Sequence, residues 1–257
     1  MKEDLQKNKM GLNQMIDKAV EIIRNARRVT GFTGAGISVE SGIPAFRGEN
    51  GLWSKYDPIF LDIGYFKAHP LKAWGLIKEI FFDFFGEAKP NPAHIGLAEM
   101  EKNGYLNAII TQNIDNLHQE AGSKEVYEVH GNSRNLVCIN CGYRVPVEEK
   151  YLNNLPPRCE KCKGLLKPDF IFFSEPLYEP DITKSFREAK ISDVFLVIGT
   201  TGEIMPASQI PIIAKNNMIS IIEVNVKKSN YTDSITDVFL KGKATEVIDK
   251  LVKNLGI

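Results

Sequence analysis

This chain of 257 residues lacks long apolar runs, an excess of charge of either sign, and an abundance of cysteine. No apolar stretch approaches the roughly 18 residues of a membrane span. The charged start at residues 1–6 lacks the apolar centre of a secretory signal. Lys plus Arg and Asp plus Glu both number 32, so no positive field favours nonspecific nucleic-acid binding. We therefore expect a soluble, cytoplasmic protein with neither a membrane partner nor a direct nucleic-acid partner.

The four cysteines form two CxxC pairs, Cys138 with Cys141 and Cys159 with Cys162. In the cytoplasm such pairs are metal ligands more often than disulfides. Each pair can supply two ligands to a tetrahedral zinc ion, and four thiolates leave no coordination position for water. The spacing therefore predicts a structural Zn²⁺ site, with four independent structural or redox thiols as the alternative.

Several apolar segments are expected to be buried strands that end in small or polar residues. Residues 29–33 run into Gly34-Ala35-Gly36-Ile37-Ser38, after an apolar-faced helix expected at residues 12–28. Residues 194–198 precede Gly199-Thr200-Thr201, and residues 219–224 precede Asn225. Such strands are typical of a Rossmann-like parallel sheet, in which Gly34, Gly199 and Asn225 would face one crevice.

The segment from Thr111 to Cys141 contains the densest set of candidate catalytic and ligand-binding residues. A short strand ends in Thr111-Gln112-Asn113-Ile114-Asp115, at the kind of carboxyl end where open α/β sheets bind ligands. His130-Gly131-Asn132 follows, and its flanks favour a base that titrates near neutrality over a merely packed histidine. His118 is interpreted as structural.

The loop that follows Gly34-Ala35-Gly36 contains an aromatic residue next to a cationic one, Phe46 and Arg47. Phe46 is suited to shielding a reactive sugar carbon from water, and Arg47 to binding a pyrophosphate. The alternative is a packed phenylalanine beside a surface arginine.

Two segments differ in composition from the expected sheet. Residues 46–89 and 134–167 are assigned to a small domain with a helical and a zinc module, and residues 1–45, 90–133 and 168–257 to the large domain. The predicted fold class is α/β, a Rossmann-like parallel sheet with a smaller zinc-binding plus helical domain. The phenylalanines at positions 81, 82, 84 and 85 are expected to pack in the small domain, although part of this cluster could line an acyl tunnel.

Taken in order, these motifs resemble the sirtuins, the NAD-dependent protein lysine deacylases. The resemblance runs from about Val20 to the C-terminus and also includes Pro206-Ala207. It implies a cleft between the two domains that holds NAD as co-substrate and an acylated lysine of a protein or peptide. The products would be deacylated lysine, nicotinamide and O-acyl-ADP-ribose.

The resemblance also implies residue roles. His130 would be the general base, and Asn113 would assist at the reacting ribose. Gln112, Ile114 and Asp115 would surround ribose and nicotinamide. The remaining cofactor contacts would be Ala35, Gly36, Phe46, Arg47, Gly199, Thr200, Thr201, Asn225 and Ala244.

Departures from the family pattern concern the substrate. Residues 202–205 replace an apolar, valine-containing run, and Ser174 stands where glycine is common in the segment expected to pair with substrate as an added strand. Ile77 and Ile80 align with the tyrosine and arginine of sirtuins that remove succinyl or malonyl groups. An apolar pair cannot neutralise a buried carboxylate, so acetyl or longer apolar acyl groups are expected.

Three other functions compete with deacylation. Mono-ADP-ribosyltransfer would use the same cofactor residues, with a protein side chain as acceptor. A noncatalytic NAD-binding or zinc-dependent interaction module is disfavoured because Asn113 and His130 are both present. A dehydrogenase is disfavoured because the glycine loop lacks a clean GxGxxG with its acidic partner.

Overall fold

The computed structural model describes residues 2–46 and 51–257. Its strands, numbered along the chain, are β1 Val29–Thr33, β2 Ala108–Thr111, β3 Val126–Glu128, β4 Gly131–Cys138, β5 Arg144–Pro146, β6 Leu166–Phe170, β7 Val194–Ile198, β8 Ser220–Asn225 and β9 Val238–Lys241. Its α-helices are α1 Lys2–Asn25, α2 Ile63–Ala68, α3 Pro70–Ile77, α4 Pro92–Lys102, α5 Leu117–Glu120, α6 Glu149–Leu152, α7 Asp181–Ile191, α8 Gln209–Asn216 and α9 Ala244–Leu255. A π-helix, Lys78–Phe84, continues α3.

The larger sheet is parallel throughout, with strand order β3-β2-β1-β7-β8-β9. The chain leaves β1 toward one edge and returns to β7 on the other side of β1. This reversal is the topological switch point of a Rossmann-like fold, and the crevice outside the carboxyl ends of β1 and β7 is where such sheets bind ligands.

Helices cover both faces of this sheet, so its central strands can be apolar along their whole length. Every residue of β1 and β7 is buried. Helices α1, α4 and α9 contribute to the core on one face, and α7 and α8 to the core on the other. The structure confirms the expected α/β class.

A second layer of structure surrounds a separate apolar cluster. The antiparallel sheet β5-β4-β6 joins helices α2 and α3 and the π-helix around the buried side chains of Trp74, Phe81 and Phe170. The Trp74 indole N–H donates to the carbonyl oxygen of Leu166 at 2.9 Å, which links the helical segment to β6. Phe81 and Phe85 are buried while Phe84 is exposed, so the aromatic cluster contributes to the packing of this layer.

Several element boundaries differ from the sequence expectation, and helix α1 begins at Lys2 rather than at residue 12. Helix α1 ends at Asn25, because the N–H groups of Arg27 and Arg28 donate to the Asp193 carboxylate instead of continuing the helix. Strand β8 is shifted by one residue and includes Asn225, which lies opposite Lys241 of β9. Within the described residues, no helix combines the length and apolar character needed to cross a bilayer.

Candidate active site

Glycines bring the ends of β1 and β7 into direct backbone contact. The Gly36 N–H donates to the Gly199 carbonyl oxygen at 2.8 Å. A Cβ added to Gly36 would lie 2.7 Å from the Cα of Gly199, and one added to Gly199 would lie 2.4 Å from the nitrogen of Ile37. Gly199 also has φ of +62°, a conformation that glycine adopts at little cost. At this point the crevice floor consists of two half-buried backbone segments with no side chain between them, a surface of the kind that a phosphate or ribose approaches closely.

Polar side chains connect the ends of β2, β7 and β8 above this floor. The Gln112 amide donates to the Thr200 hydroxyl at 3.1 Å, and the Asn225 amide donates to the Thr200 carbonyl oxygen at 2.9 Å. Gln112, Thr200 and Asn225, which were predicted as cofactor contacts at the ends of three different strands, thus lie together. Thr201 lies exposed beside them, and its carbonyl oxygen accepts from the N–H of Asn230.

Helix α9 reaches the same region with its N-terminus. Ala244 is its first residue and is buried, and the preceding Gly242 N–H donates to the Asn225 carbonyl oxygen at 3.0 Å. The helix also contacts the short 3₁₀ helix that contains Ala35. Ala35 and Ala244 therefore lie on elements that meet at this end of the sheet.

Asn113 and Asp115 are joined through a hydroxyl group that the sequence analysis did not single out. The Ser38 hydroxyl donates to the Asp115 carboxylate at 2.7 Å and lies 3.2 Å from the Asn113 amide nitrogen, which also donates to the Gly34 carbonyl oxygen. Burial raises the pKa of Asp115, although the hydrogen bonds from Ser38 and Leu117 oppose this shift. In the sequence, the one feature that could have pointed to Ser38 was its position at the end of the glycine loop, Gly34-Ala35-Gly36-Ile37-Ser38.

His130 is oriented by the end of β2. Its Nδ1 lies 2.9 Å from the Gln112 carbonyl oxygen, which can only accept, so Nδ1 carries the proton and Nε2 carries the lone pair. Burial lowers the pKa of His130, while the bond to Gln112 acts in the opposite direction. The ring therefore stays neutral at neutral pH, with Nε2 able to accept a proton.

The backbone around His130 leaves no room for a side chain at the next position. Gly131 has φ of +74°, and a Cβ there would lie 2.2 Å from the carbonyl oxygen of Asp169. Asn132 is buried, and its amide donates to the Glu128 carboxylate at 3.2 Å. Asn132 therefore supports the turn rather than facing a ligand.

Phe46 and Ile114 are half-buried and pack against the second apolar cluster. The ring of Phe46 lies 5.3 Å from that of Trp53, and its carbonyl oxygen accepts from the Trp53 N–H. Both residues thus place apolar surface where the second layer meets the larger sheet. Arg47 lies outside the described residues.

Two buried histidines lie behind the polar cluster. His118 Nε2 bonds to the Thr33 hydroxyl at 2.9 Å, and His94 Nε2 lies 3.4 Å from the Ser38 hydroxyl. Burial lowers the pKa of His94 to about 4 and that of His118 well below its usual range. Both rings are therefore neutral supports in the interior, which agrees with the structural interpretation of His118.

The four cysteines form one cluster at the far end of the smaller sheet. All four Sγ atoms lie within 4.8 Å of one another, with Cys138 and Cys159 buried and Cys141 and Cys162 exposed. Burial raises the pKa of Cys138, but the N–H groups of Cys141 and Asn140 outweigh it and lower the pKa to about 7. The hydrogen bond from the Gly164 N–H lowers the pKa of Cys162, but the thiols of Cys138 and Cys141 outweigh it and raise this pKa to about 12. The fit to a tetrahedral zinc ion therefore rests on the four convergent sulfurs.

Comparison with known proteins agrees with this geometry. The model of the Sir2 family matches residues 34–206. A NAD-dependent protein deacylase of Pyrococcus furiosus is 46% identical over 251 residues, which cover 94% of this chain and 98% of the relative. A NAD-dependent protein deacetylase of Pyrobaculum aerophilum is 41% identical over 242 residues, covering 93% and 94%. A solved structure described as Sir2 with a p53 peptide and NAD⁺ has a TM-score of 0.86 at 33% identity and covers 93% of this chain and 98% of its own.

The parallel sheet, the switch-point crevice and the four-cysteine cluster define an α/β protein built to bind a nucleotide beside a zinc module. This chain belongs to the Sir2 family.

Proposed function

We propose that this protein is an NAD-dependent protein lysine deacylase. The observation that carries the proposal is the fixed His130 ring, whose Nδ1 is held by the Gln112 carbonyl oxygen beside the joined side chains of Asn113 and Asp115. A neutral, oriented imidazole next to the crevice of a Rossmann-like sheet suits general-base chemistry on a bound nucleotide sugar. The relatives named as NAD-dependent deacylases support the assignment.

The cofactor contacts divide into two groups in this proposal. The adenosine and phosphate end of NAD is bound by Gly199, Thr200, Thr201, Asn225 and Ala244. The nicotinamide and ribose end is bound by Ala35, Gly36, Phe46, Gln112, Ile114 and Asp115, and Arg47 binds the pyrophosphate between the two ends. The backbone contact between Gly36 and Gly199 and the bridge from Gln112 to Thr200 support this arrangement, because they bring both groups to one crevice.

The reaction needs protection from water as well as a base. The amide oxygen of an acyl-lysine is a weak nucleophile, so water must be excluded from the ribose carbon that it attacks. Phe46 and Ile114 provide apolar surface for this purpose, and Asn113 holds the ribose. His130 Nε2 accepts a proton from a ribose hydroxyl, which frees that oxygen to attack the transferred acyl group. After nicotinamide has left, the lysine amine departs as one molecule of water is taken up. The products are deacylated lysine, nicotinamide and O-acyl-ADP-ribose.

The cysteine cluster has a separate role. Cys138, Cys141, Cys159 and Cys162 would hold one structural Zn²⁺, whose binding stabilises the fold of the smaller sheet. We assign the cysteine-bearing part of this sheet and the helical segment to a small domain of residues 46–89 and 134–167. Residues 1–45, 90–133 and 168–257 form the large domain. The separate apolar cluster around Trp74 supports this division.

The acyl preference follows from buried apolar residues in the helical segment. Ile77 and Ile80 are both buried, and their neighbours in the same cluster include Trp74 and Phe81. Neither position supplies a cation for a succinyl or malonyl carboxylate. We propose that acetyl and longer apolar acyl groups are removed faster.

The test is to incubate the protein with NAD and a panel of peptides that differ only in the acyl group on one lysine, and to identify products by mass. Deacylated peptide, nicotinamide and O-acyl-ADP-ribose should appear together, and the unmodified peptide should release no nicotinamide. Nicotinamide release with ADP-ribose attached to unmodified protein would instead support mono-ADP-ribosyltransfer. A faster reaction with succinyl-lysine than with acetyl-lysine would contradict the proposed acyl preference.

A further inference from the structure

The residue that follows Asp115 has an unusual backbone conformation. Asn116 has φ of +67° and ψ of +5°, in the left-handed region that favours glycine. Its conformation fixes the direction in which the loop of residues 113–116 leaves the crevice and enters α5. A residue held in this region at a functional site depends on its surroundings to keep it there.

Both polar atoms of the Asn116 side chain are bound to strand β4. Its Oδ1 accepts from Arg134 Nη1 at 2.7 Å, and its Nδ2 donates to the Ser133 hydroxyl at 2.9 Å. The Ser133 hydroxyl and N–H both donate to the Ile114 carbonyl oxygen, at 2.8 and 3.2 Å. The loop is thus fastened to β4 on either side of Asp115.

Arg134 is itself held by a carboxylate close to the catalytic histidine. Its Nη1 and Nη2 donate to the two oxygens of Glu128 at 2.9 and 2.5 Å, in a bidentate pair. Glu128 is the last residue of β3 and also accepts from Gln119 and Asn132. One guanidinium group therefore connects the loop that carries Asp115 to the strand end that leads to His130.

We propose that Arg134 is a positioning residue for the nicotinamide side of the site. By holding Asn116 in its left-handed conformation, Arg134 fixes Ile114 and Asp115 relative to His130. The inference rests on the proposed function in one respect, the assignment of residues 112–115 to the nicotinamide and ribose end. Arg134 contacts neither cofactor nor substrate in this scheme, so it acts only through the loop.

The test is the variant Arg134→Met, for which the NAD dissociation constant is measured by calorimetry and the inhibition constant of nicotinamide in the deacylation assay. Loss of a charge-assisted hydrogen bond to the loop should raise both constants roughly three- to tenfold. The KM for the acyl peptide should stay within about twofold, because the loop lies on the cofactor side.

Arg144→Met is the matched control. Arg144 and Arg134 are 54% and 40% exposed, and their carboxylate partners, Asp169 and Glu128, are 5% and 8% exposed. Each substitution leaves a buried carboxylate without its cation and should lower thermal stability to a similar degree. Only Arg134→Met should change NAD and nicotinamide binding, since Arg144 makes no contact with residues 113–116 within the described contacts.

A double-mutant cycle with Asn116→Gly separates the loop from the ion pair. Glycine adopts the left-handed region without support and removes the side chain that Arg134 contacts. Arg134→Met should therefore have little further effect on NAD binding in the Asn116→Gly background. An equal effect in both backgrounds, or unchanged NAD affinity of Arg134→Met, would overturn the inference. The calorimetric comparison needs no turnover, so an inactive wild-type protein would count against the proposed function alone.

Discussion

At the scale of single residues, the site depends on groups whose protonation is set by what surrounds them. The Gln112 carbonyl oxygen fixes the tautomer of His130, and burial keeps the ring neutral. A histidine that was protonated at neutral pH could not act as a base. The geometry therefore prepares His130 for its proposed role before any ligand is bound.

Replacement of this histidine gives the most direct test of that role. His130→Ala should reduce kcat for deacylation by roughly 10²- to 10⁴-fold, the usual contribution of a general base. Thermal unfolding and zinc content should stay near wild type. His69→Ala, at an exposed histidine far along the chain from the crevice residues, serves as the control and should keep its activity. Near-normal turnover by a folded His130→Ala protein would remove His130 from the mechanism.

The buried His94 predicts a dependence of stability on pH. Its pKa is about 4 in the folded protein and about 6.5 when unfolded, so between these values the unfolded chain binds a proton that the folded chain does not. The stabilisation that comes from keeping His94 neutral is therefore fully present above about pH 6.5, and it is lost as the pH falls toward 4. From this site alone, the free energy of unfolding should decrease by about 2 kcal/mol between pH 7.5 and 5.

The variant His94→Gln tests this prediction, because glutamine can still accept from the Asn91 N–H as His94 Nδ1 does. Denaturant unfolding at both pH values should show a smaller decrease for the variant than for wild type. Asn103→Gln, a change at the C-terminal end of α4 that alters no titratable group, should leave the decrease unchanged. Equal decreases in wild type and His94→Gln would show that His94 does not titrate on unfolding.

At the scale of elements, strands β4 and β6 connect the cysteine cluster to the crevice. Cys138 is the last residue of β4, whereas Gly131 at its start follows His130. Strand β6 pairs with β4 at residues 136–138 and again, beyond an irregular stretch, at Gly131, which lies opposite Phe170. The metal site is thus remote from the reaction but lies on the same ladder.

Loss of one cysteine ligand should destabilise the strands that connect the cysteine cluster to the crevice. Cys141→Ser is expected to lose the zinc ion and to lower the thermal stability, since metal binding contributes directly to folding in such sites. Elemental analysis of the purified protein and a thermal melt are the measurements. Lys161→Ser, a surface change between the cysteines of the second pair, should keep one zinc per chain. Retention of a full equivalent by Cys141→Ser would contradict the assignment.

The turn of residues 172–175 is held by a buried lysine. Lys167 Nζ donates to the Phe170 carbonyl oxygen at 2.7 Å and lies 3.1 Å from Glu175 Oε2, which accepts from the Phe172 N–H at 2.8 Å. Ser174 within this turn has φ of +72°. The ion pair therefore stabilises the segment where the family resemblance predicts an added substrate strand.

Removal of this ion pair should act on the peptide and spare the cofactor. Lys167→Met should raise the KM for the acyl peptide several-fold, by about the value of one charge-assisted hydrogen bond, and leave the KM for NAD within about twofold. Lys150→Met removes the exposed ion pairs of α6 with Glu148 and Glu160 and is the control. A rise in the KM for NAD without one for the peptide would refute this role.

At the scale of the whole molecule, the features that could be predicted from the sequence are those that depend on a local pattern of residues, namely the buried strands and the cysteine pairs. The strands around Gly34, Gln112 and Gly199 were found because buried parallel strands have continuous apolar runs and end in polar or small residues. The cysteines were found because metal ligands require a fixed spacing. These patterns locate the crevice and the metal cluster without any knowledge of packing.

Contacts between distant segments could not be predicted in this way. The hydrogen bond from Ser38 to Asp115 and the one from Arg134 to Asn116 join residues whose spacing in sequence carries no periodic signal. The early end of α1 has the same origin, because Asp193 competes for the N–H groups of Arg27 and Arg28. Tertiary partners decide such details, and only the fold brings them together.

His130 lies where the parallel sheet passes into the antiparallel one. The Val129 N–H donates to the Thr111 carbonyl oxygen on one side, and the His130 carbonyl oxygen accepts from the Ile171 N–H on the other. The turn of residues 172–175 follows Ile171 directly, and its Phe173 N–H donates to the Leu61 carbonyl oxygen at 2.9 Å. The base and this turn are therefore anchored to adjacent residues just beyond β6, which couples the position of one to that of the other.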